Sequence, residues 1–386
     1  MIKVLYISTD GIQSGAGLCM LQQICYGKEQ GIDYQCILPC HGNLEDVAKR
    51  ENIAYKVIRS YPWLRNKEEK DDWKFFVKWI VKSVLNIKVE IQIYYIIKKQ
   101  KIDIVHINTI CSGVGAKAAH IAKVPVVWHF REFVEEDFGS HYINKRKSIK
   151  LIKKSAALIA VSEAVKNKYE KYFGKRSIYR IYDGLNINKF YCPEKEIFAS
   201  QKKVIILMAG HISDSKGQSQ LLKAVACMTK EEQSKLRVQF AGVGNDKTMK
   251  KIKEFIKRHE LENVVEMLGF REDIDHLWKQ ADICVVCSRF EAFGRVTVEA
   301  MLSGCLVIGT DRGGTIELIQ DGVTGYLYPY GEVDILKKKI LEVLERKEEA
   351  RKVAKLGKEY AKKHFDSKVN AENIKEVYKK ICKNKR

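Results

Sequence analysis

The sequence predicts an α/β protein of two domains, each built on a parallel sheet whose strands alternate with helices. Three observations support this fold class: a length of 386 residues, short apolar strands separated by helix-length segments, and a restart of that series in mid-chain. Domains usually hold roughly 100–200 residues, so the length suits two. Strands of nearly continuous Val, Ile and Leu are typical of parallel sheets covered by helices on both faces.

The predicted strands form two series. In the first half they are Lys3–Ser8, Gln35–Leu38, Asp103–Asn108, Val124–His129, Ala157–Ser162 and Ser177–Tyr182. In the second half they are Val204–Ala209, Arg237–Gly242, Asn263–Leu268, Asp282–Ser288 and Cys305–Thr310. Between strands, apolar residues such as Leu221, Leu222 and Val225 follow helical spacing.

The domain boundaries follow from the gap between the two series. Residues 185–201 contain Pro193 and lack periodicity, so we expect Rossmann-like domains at residues 1–188 and 200–365. We expect the Lys- and Glu-rich segment 366–386 to be a helix that packs back on the first domain. Two such sheets facing each other would bring the carboxyl ends of their strands to one interdomain cleft, where folds of this kind bind ligands.

The net charge of +21 is unevenly distributed along the chain. Residues 141–180 hold twelve Lys or Arg against two acids, Glu163 and Glu170. Such a stretch attracts nucleic acid, a phospholipid surface or a phosphorylated substrate, although a merely solvated basic face remains open. No zinc-finger, RNP or helix-turn-helix pattern is present, which argues against nucleic acid.

The sequence shows no targeting or membrane-spanning signal, and we expect a cytoplasmic protein. Met1–Ser8 suits a buried strand better than a secretory signal. The longest apolar candidate, Trp79–Ile97, is interrupted by Lys82, Lys88 and Glu90, and no apolar run reaches the ~18–20 residues that a spanning helix needs. We interpret it as a helix that packs on the protein or lies against a surface. The pair Cys284 and Cys287 lacks a second pair, which favours reduced core cysteines over zinc.

A glycine-rich loop follows the first strand of each domain. In the first domain, Gly15, Ala16 and Gly17 open a helix, whose N-terminus offers backbone N–H groups and a positive dipole end to a diphosphate. Tight packing is an alternative reason for glycine there. In the second domain, the loop Gly210–Gly217 precedes a helix, and Lys216 at its tip is placed to contact a phosphate.

The most specific segment follows the strand Asp282–Ser288. It contains Glu291, a Phe293–Gly294 turn and a helix that carries Glu299. Eight helical residues span ~12 Å, whereas glycosidase carboxylates lie ~5–9.5 Å apart; the loop could close that gap, so a hydrolase pair remains open. We prefer another division of roles. Glu291 accepts hydrogen bonds from sugar hydroxyls, Glu299 binds a ribose diol, and the helix N-terminus near Arg295 holds the phosphates.

Several motifs occur in order along the second domain. They are Gly210 to Lys216–Gly217, Gly242 with Gly244, Leu268–Gly269–Phe270, Glu291 to Glu299, and Asp321–Gly325. Together they resemble the GT-B retaining glycosyltransferases of family 4, also called glycosyl transferases group 1. The sequence departs from that pattern at His211, where the family commonly has Arg, at Ser14, where it often has Gly, and at Asp183–Gly184, where Asn-Gly is usual.

The resemblance implies a retaining transfer from a nucleotide sugar. UDP-sugars are favoured as donors and GDP remains possible. The acceptor would be a hydroxyl of a saccharide or a lipid-diphosphate-linked saccharide in the biosynthesis of a bacterial surface polysaccharide such as a capsule, with docking on an anionic membrane. No metal or other cofactor is expected, and no nucleic acid.

The resemblance also assigns candidate site residues. The donor-binding set is Gly15, Ala16, Gly17, Gly210, His211, Lys216, Gly242, Gly269, Phe270, Glu291, Phe293, Gly294, Arg295, Val296 and Glu299. The catalytic candidates are His129, Lys216 and Glu291. His129 ends a predicted strand, and in similar enzymes a His here lies near the transferring sugar; a strand-end His bonded to backbone is the alternative. Arg131 and Glu132 are acceptor-side candidates.

Three rival functions remain. A nucleotide-sugar epimerase on the same fold would change the donor without an acceptor. A phosphorylase would use free phosphate, and no lysine motif for its pyridoxal cofactor is evident. A nucleic-acid-binding protein would explain the charge and leave the two α/β domains unexplained.

Overall fold

The computed structural model describes residues 1–67, 72–173, 178–199 and 203–383. The chain divides into two compact units: Met1–Gly184 together with Ser367–Arg386, and Leu185–Asp366. A few residues of the sequence predictions lie outside the described part. They are Ser177 of a predicted strand, residues 200–202 around the predicted linker end, Lys175 and Arg176 of the basic stretch, and residues 384–386 of the predicted C-terminal helix.

The first unit alternates strands and helices. Its strands are β1 Ile2–Ile7, β2 Ile32–Leu38, β3 Tyr55–Val57, β4 Leu64–Asn66, β5 Ile104–Ile107, β6 Val126–Phe130, β7 Ser140–Tyr142, β8 Ala157–Ala160 and β9 Ile178–Arg180. Its helices are α1 Gly15–Glu29, α2 Leu44–Arg50, α3 Trp73–Gln100, α4 Ala116–Ile121, α5 Glu135–Phe138, α6 Lys145–Ile152, α7 Glu163–Phe173 and, after the second unit, α17 Ser367–Lys383.

Seven strands of this unit form one parallel sheet in the order β3-β2-β1-β5-β6-β8-β9. The order reverses at β1, whose neighbours are β2 and β5, so the loops after β1 and β5 flank a topological switch point. The remaining strands, β4 and β7, pair antiparallel beside it.

The second unit repeats the architecture. Its strands are β10 Val204–Ala209, β11 Leu236–Ala241, β12 Val265–Gly269, β13 Ile283–Val286, β14 Leu306–Thr310 and β15 Tyr326–Tyr328. Its helices are α8 Ile187–Phe190, α9 Gln218–Ala226, α10 Lys230–Ser234, α11 Asp246–Arg258, α12 Ile274–Gln280, α13 Arg295–Leu302, α14 Thr315–Leu318, α15 Val333–Glu345 and α16 Lys347–His364.

All six strands of this unit are parallel, in the order β12-β11-β10-β13-β14-β15. Here the order reverses between β10 and β13, so the loops after these two strands lie at the switch point. The structure confirms the predicted pair of Rossmann-like α/β units with parallel sheets. Each of the eleven predicted strands is present within a few residues of its predicted bounds.

The C-terminal helix α17 belongs to the core of the first unit. Its residues Ile374, Val377 and Tyr378 are buried in the same apolar cluster as Tyr6 of β1. Their spacing of three and four residues puts them on one face of the helix. The hydroxyl of Tyr378 also hydrogen-bonds to Nδ1 of the buried His106. His106 therefore has a structural environment between β5, β1 and α17.

Among the described helices, none combines the length and apolar character needed to cross a membrane.

Candidate functional site

Most of the predicted donor-binding residues lie along one edge of the second sheet. Gly210 follows β10, Gly242 follows β11, Gly269 ends β12, and the segment with Glu291 follows β13. Because all these strands are parallel, their carboxyl ends meet at this edge. The loops after β10 and β13 flank the switch point, the position where open α/β sheets bind ligands.

A side-chain cluster joins the two loops at the switch point. Nζ of Lys216 lies 2.7 Å from Oε1 of Glu291, and Oγ of Ser288 donates to the same oxygen at 2.6 Å. The Lys216 side chain remains 36% exposed, against 17% for Glu291. The carboxylate thus orients the ammonium, while part of the Lys216 side chain still faces solvent, where it can meet an anionic ligand.

Gly242 allows the β10 and β11 loops to approach each other closely. A Cβ atom at this residue would lie 1.9 Å from the carbonyl oxygen of Gly210, and its φ of +152° disfavours other residues. The Gly242 N–H donates to the carbonyl of Gly269 at 2.7 Å. Three of the predicted donor-binding glycines therefore hold neighbouring loops together by backbone contact.

The helix α13 starts at this edge with Gly294 as its N-cap, at a φ of +101°. Its first residue, Arg295, lies 3.4 Å from Glu299 one turn later, and both side chains are largely buried. Val296 is half-buried in the first turn. Phe293 is buried and packs edge-on against Phe365, directly before the residue that caps the helix.

Glu291 and Glu299 bind different partners. Glu291 contacts Lys216 and Ser288, whereas Glu299 contacts Arg295. A pair of glycosidase carboxylates instead acts on one bond between them, so these contacts favour separate roles over a hydrolase pair. Of the other donor candidates, Phe270 is 63% exposed, and His211 is exposed while its carbonyl accepts from Gln218.

In the first unit, the loop before α1 supplies a hydrogen-bond acceptor for one of the free backbone N–H groups at the start of the helix. Oγ of Ser14 accepts from the Gly17 N–H at 3.0 Å and donates to Asp10 at 2.7 Å. Gly15 is exposed, whereas Gly17 is buried. The Gly17 N–H thus donates to the Ser14 cap, and binding of a donor diphosphate by Gly15, Ala16 and Gly17 stays a prediction.

Arg131, directly after β6, is held by three side chains. Its Nε donates to Asn108 at 3.0 Å, its Nη1 forms an ion pair with Asp183, and its Nη2 lies 3.3 Å from Nδ1 of His129. The side chains of Arg131 and Asp183 are both almost fully buried. This network sets the position of Arg131 at the carboxyl edge of the first sheet.

His129 is fully buried within β6. Burial and the positive charge of Arg131 hold its pKa well below the usual range, so the ring is neutral. Its Nε2 has no hydrogen-bond partner among the described residues. The His129 ring has no exposed surface, and its Nδ1 contacts Arg131. Direct contact between His129 and the sugar stays a prediction.

Glu132 is also buried, and its environment differs from that of Arg131. Its carboxylate accepts from the Arg131 N–H at 3.0 Å and from the thiol of Cys111 at 3.5 Å. Burial raises its pKa to about 7. The carboxyl can therefore gain or lose a proton near neutral pH.

Sequence reasoning missed the residues that orient the candidates. Ser288 fixes Glu291, while Asn108 and Asp183 fix Arg131. Ser288 and Asn108 each follow a strand at a switch point, the pattern that could have indicated them. No group of three His, Cys, Asp or Glu side chains within the described ranges is arranged to hold a metal ion.

Two family models match consecutive parts of the chain. Residues 194–360 match glycosyl transferases group 1, and residues 15–189 match glycosyltransferase family 4. The first match contains the whole cluster around Lys216 and Glu291. Both matched models describe glycosyltransferase domains, and together the two matches span most of the chain.

Proteins similar to this chain occur in archaea and bacteria. An uncharacterised glycosyltransferase of Methanocaldococcus jannaschii is 29% identical over 229 residues, which are 59% of this chain and 60% of that protein. An Escherichia coli UDP-Gal:α-D-GlcNAc-diphosphoundecaprenol α-1,3-galactosyltransferase is 25% identical over 297 residues, 71% of this chain and 75% of that protein. The match to the archaeal relative thus spans about three fifths of its length.

Among solved structures, Anabaena HepE in complex with UDP-glucose superposes with a TM-score of 0.81 at 26% identity. The superposition covers 98% of this chain and 100% of HepE. With two parallel-sheet Rossmann-like units and this neighbour, the fold is GT-B, as the sequence motifs implied.

Proposed function

We propose that this chain transfers a sugar from a nucleotide-sugar donor to a hydroxyl group of a saccharide acceptor. The observation that carries the proposal is the cluster of Lys216, Glu291 and Ser288 beside the start of α13, at the switch point of the second sheet. It offers a cation, an oriented carboxylate and a helix N-terminus on one edge. These groups complement a diphosphate joined to a sugar.

We favour a UDP-sugar as the donor. Lys216, His211 and the first turn of α13 would contact the two phosphates, and Glu299 would accept hydrogen bonds from the ribose hydroxyls. The UDP-glucose complex of HepE, at 26% identity, supports UDP over GDP. Glu291 would hold the sugar hydroxyls, because its carboxylate is already fixed by two donors at one oxygen.

The transfer would retain the anomeric configuration by displacement on one face of the sugar. The leaving diphosphate oxygen would help to remove the proton of the acceptor hydroxyl, so the protein must stabilise negative charge on that diphosphate. Preorganised cations and N–H groups do so without reorganising during the reaction. Arg131 and Glu132 of the first unit remain the candidate acceptor contacts, with His129 acting behind Arg131.

We propose a lipid-diphosphate-linked saccharide as the acceptor, in surface-polysaccharide synthesis at the cytoplasmic face of the cell membrane. The E. coli relative supports this choice, since its name specifies an acceptor with a diphosphoundecaprenol carrier. The high positive charge of the chain suits an anionic membrane. We expect no metal requirement, so EDTA should leave turnover unchanged.

Replacement of Lys216 tests the proposal most simply. Incubation with a panel of UDP-, GDP- and ADP-sugars and lipid-linked saccharide acceptors should release the nucleoside diphosphate with one donor class. Lys216→Ala should lower kcat by about 10²–10³-fold, because it removes one preorganised donor from the leaving group. Lys352→Ala, an exposed lysine of α16, is the matched control and should keep wild-type turnover.

Two outcomes would contradict the proposal. Turnover of Lys216→Ala near the wild-type level would remove this lysine from the leaving-group site. A changed nucleotide sugar formed without release of nucleotide, observed by NMR of the products, would make the protein an epimerase.

A further inference from the structure

The long helix α3 exposes an apolar stripe to solvent. Residues spaced three or four apart form it: Trp73, Val77, Ile80, Val84, Ile87, Ile91 and Tyr95. Trp73 is 71% exposed, Ile87 56% and Tyr95 66%. This spacing keeps the side chains on one face over about six turns.

The opposite face of α3 makes the contacts with the first unit. Val89, Ile93 and Ile97 are buried there. The stripe therefore faces away from the core of the first unit, in which Val89, Ile93 and Ile97 are buried. A contiguous apolar surface of this length is rare on a soluble protein and marks a contact with another molecule or with a membrane.

The charge beside the stripe has one sign. The exposed lysines of the helix are Lys74, Lys78, Lys88, Lys98 and Lys99. Glu90 is the single acid within Trp73–Gln100, and it is turned inward, where its carboxylate accepts from the backbone N–H groups of Gly115 and Ala118. The solvent-facing part of α3 is thus apolar and cationic.

We propose that α3 docks this protein on an anionic lipid surface, with the stripe at the boundary between headgroups and acyl chains. Apolar side chains flanked by lysines are the features by which interfacial helices bind anionic membranes. A symmetric dimer through the stripe would instead bring lysines of one copy against lysines of the other. The inference deepens the proposed lipid-linked acceptor by naming the membrane-contacting element.

The basic stretch 141–180 is less suited to this role than its composition indicated. Lys145, Lys166, Lys168 and Arg180 each form an ion pair with a nearby Glu. Part of its positive charge is therefore neutralised within the protein. On α3, by contrast, exposed lysines lie beside an exposed apolar stripe.

Vesicle flotation tests the docking surface. Wild-type protein should float with vesicles of phosphatidylglycerol and phosphatidylcholine in low salt and much less with phosphatidylcholine alone. Ile80→Ser/Ile87→Ser/Ile91→Ser should reduce the bound fraction at least about tenfold, because it removes the centre of the stripe. The matched control Ile121→Ser/Leu356→Ser/Val369→Ser replaces exposed apolar residues elsewhere and should bind as the wild type does.

Three results would overturn the inference: no flotation of the wild type with anionic vesicles, equal loss in the control, or full binding by the stripe variant. A concentration-dependent dimer that the stripe variant abolishes, without vesicle binding, would assign the face to a second copy. Release of nucleotide from a soluble donor should be equal in wild type and stripe variant, so a failure of docking stays distinct from a failure of the proposed activity.

Discussion

At the scale of single residues, the adjacent side chains of Arg131 and Glu132 are both buried, but only Arg131 has a partner of opposite charge that neutralises it. Arg131 is neutralised by Asp183 and further fixed by Asn108. Glu132 has hydrogen-bond donors, and burial still raises its pKa to about 7. The sequence indicated both residues because they follow a strand. Their burial depends on side chains up to 52 positions away, such as Asp183, so no local pattern could reveal it.

The raised pKa of Glu132 predicts a pH-dependent stability. Its folded pKa of about 7 exceeds the ordinary 4.5, so the stabilising protonated form is fully present below about pH 4.5 and is lost as the pH rises through 7. Gln cannot ionise. Between pH 4.5 and 8, the free energy of unfolding of Glu132→Gln should therefore rise relative to the wild type, by on the order of 3 kcal/mol.

Urea unfolding across this pH range measures that difference. Glu262→Gln, which alters an exposed carboxylate, should show a difference from the wild type that is nearly constant with pH. A constant difference for Glu132→Gln as well would mean that the buried carboxyl has an ordinary pKa.

At the scale of elements, the apolar patterns predicted the long strands well because central parallel strands are apolar on both faces. The three-residue strands β3 and β15 lie at the edges of their sheets and were missed. So was the antiparallel pair β4 and β7. Pairing with a neighbouring strand, and not a period within three residues, defines these strands, although the equally short β9 was among the predicted ones.

The close contact between Gly242 and Gly210 leaves no room for a side chain at Gly242. Gly242→Ala would place a methyl group against the Gly210 carbonyl at the switch-point edge, in addition to straining the backbone. Gly331→Ala is the matched control, because Gly331 has a φ of +92° with open space around its Cβ position. The control should lose about 1–3 kcal/mol through strain alone.

Thermal unfolding should therefore show a clearly lower Tm for Gly242→Ala than for Gly331→Ala. Equal melting temperatures would mean that the loops after β10 and β11 can separate at little cost in free energy.

At the scale of the whole molecule, the order of motifs along the sequence carried most of the functional interpretation. Lys216 and Glu291 are 75 positions apart, yet both follow strands that flank the switch point, so the topology itself brings them together. The sequence alone could not predict the contacts that orient the site residues, such as the hydrogen bond from Ser288 to Glu291. Nor could it predict that one apolar face of α3 is exposed. Its apolar residues could equally have been part of a core, and only the fold distinguishes the two cases.

The switch-point edge of the second unit is the proposed binding site for a nucleoside diphosphate. Calorimetric titration of the wild-type protein with UDP, and with GDP and ADP, tests it most directly. We predict saturable binding of one of them, with UDP favoured. Glu299→Ala should weaken that binding about 10–100-fold by removing charge-assisted hydrogen bonds to the ribose, whereas Glu262→Ala should not. No binding of any of the three, or unchanged affinity in a folded Glu299→Ala variant, would mean that this edge does not bind the donor nucleotide.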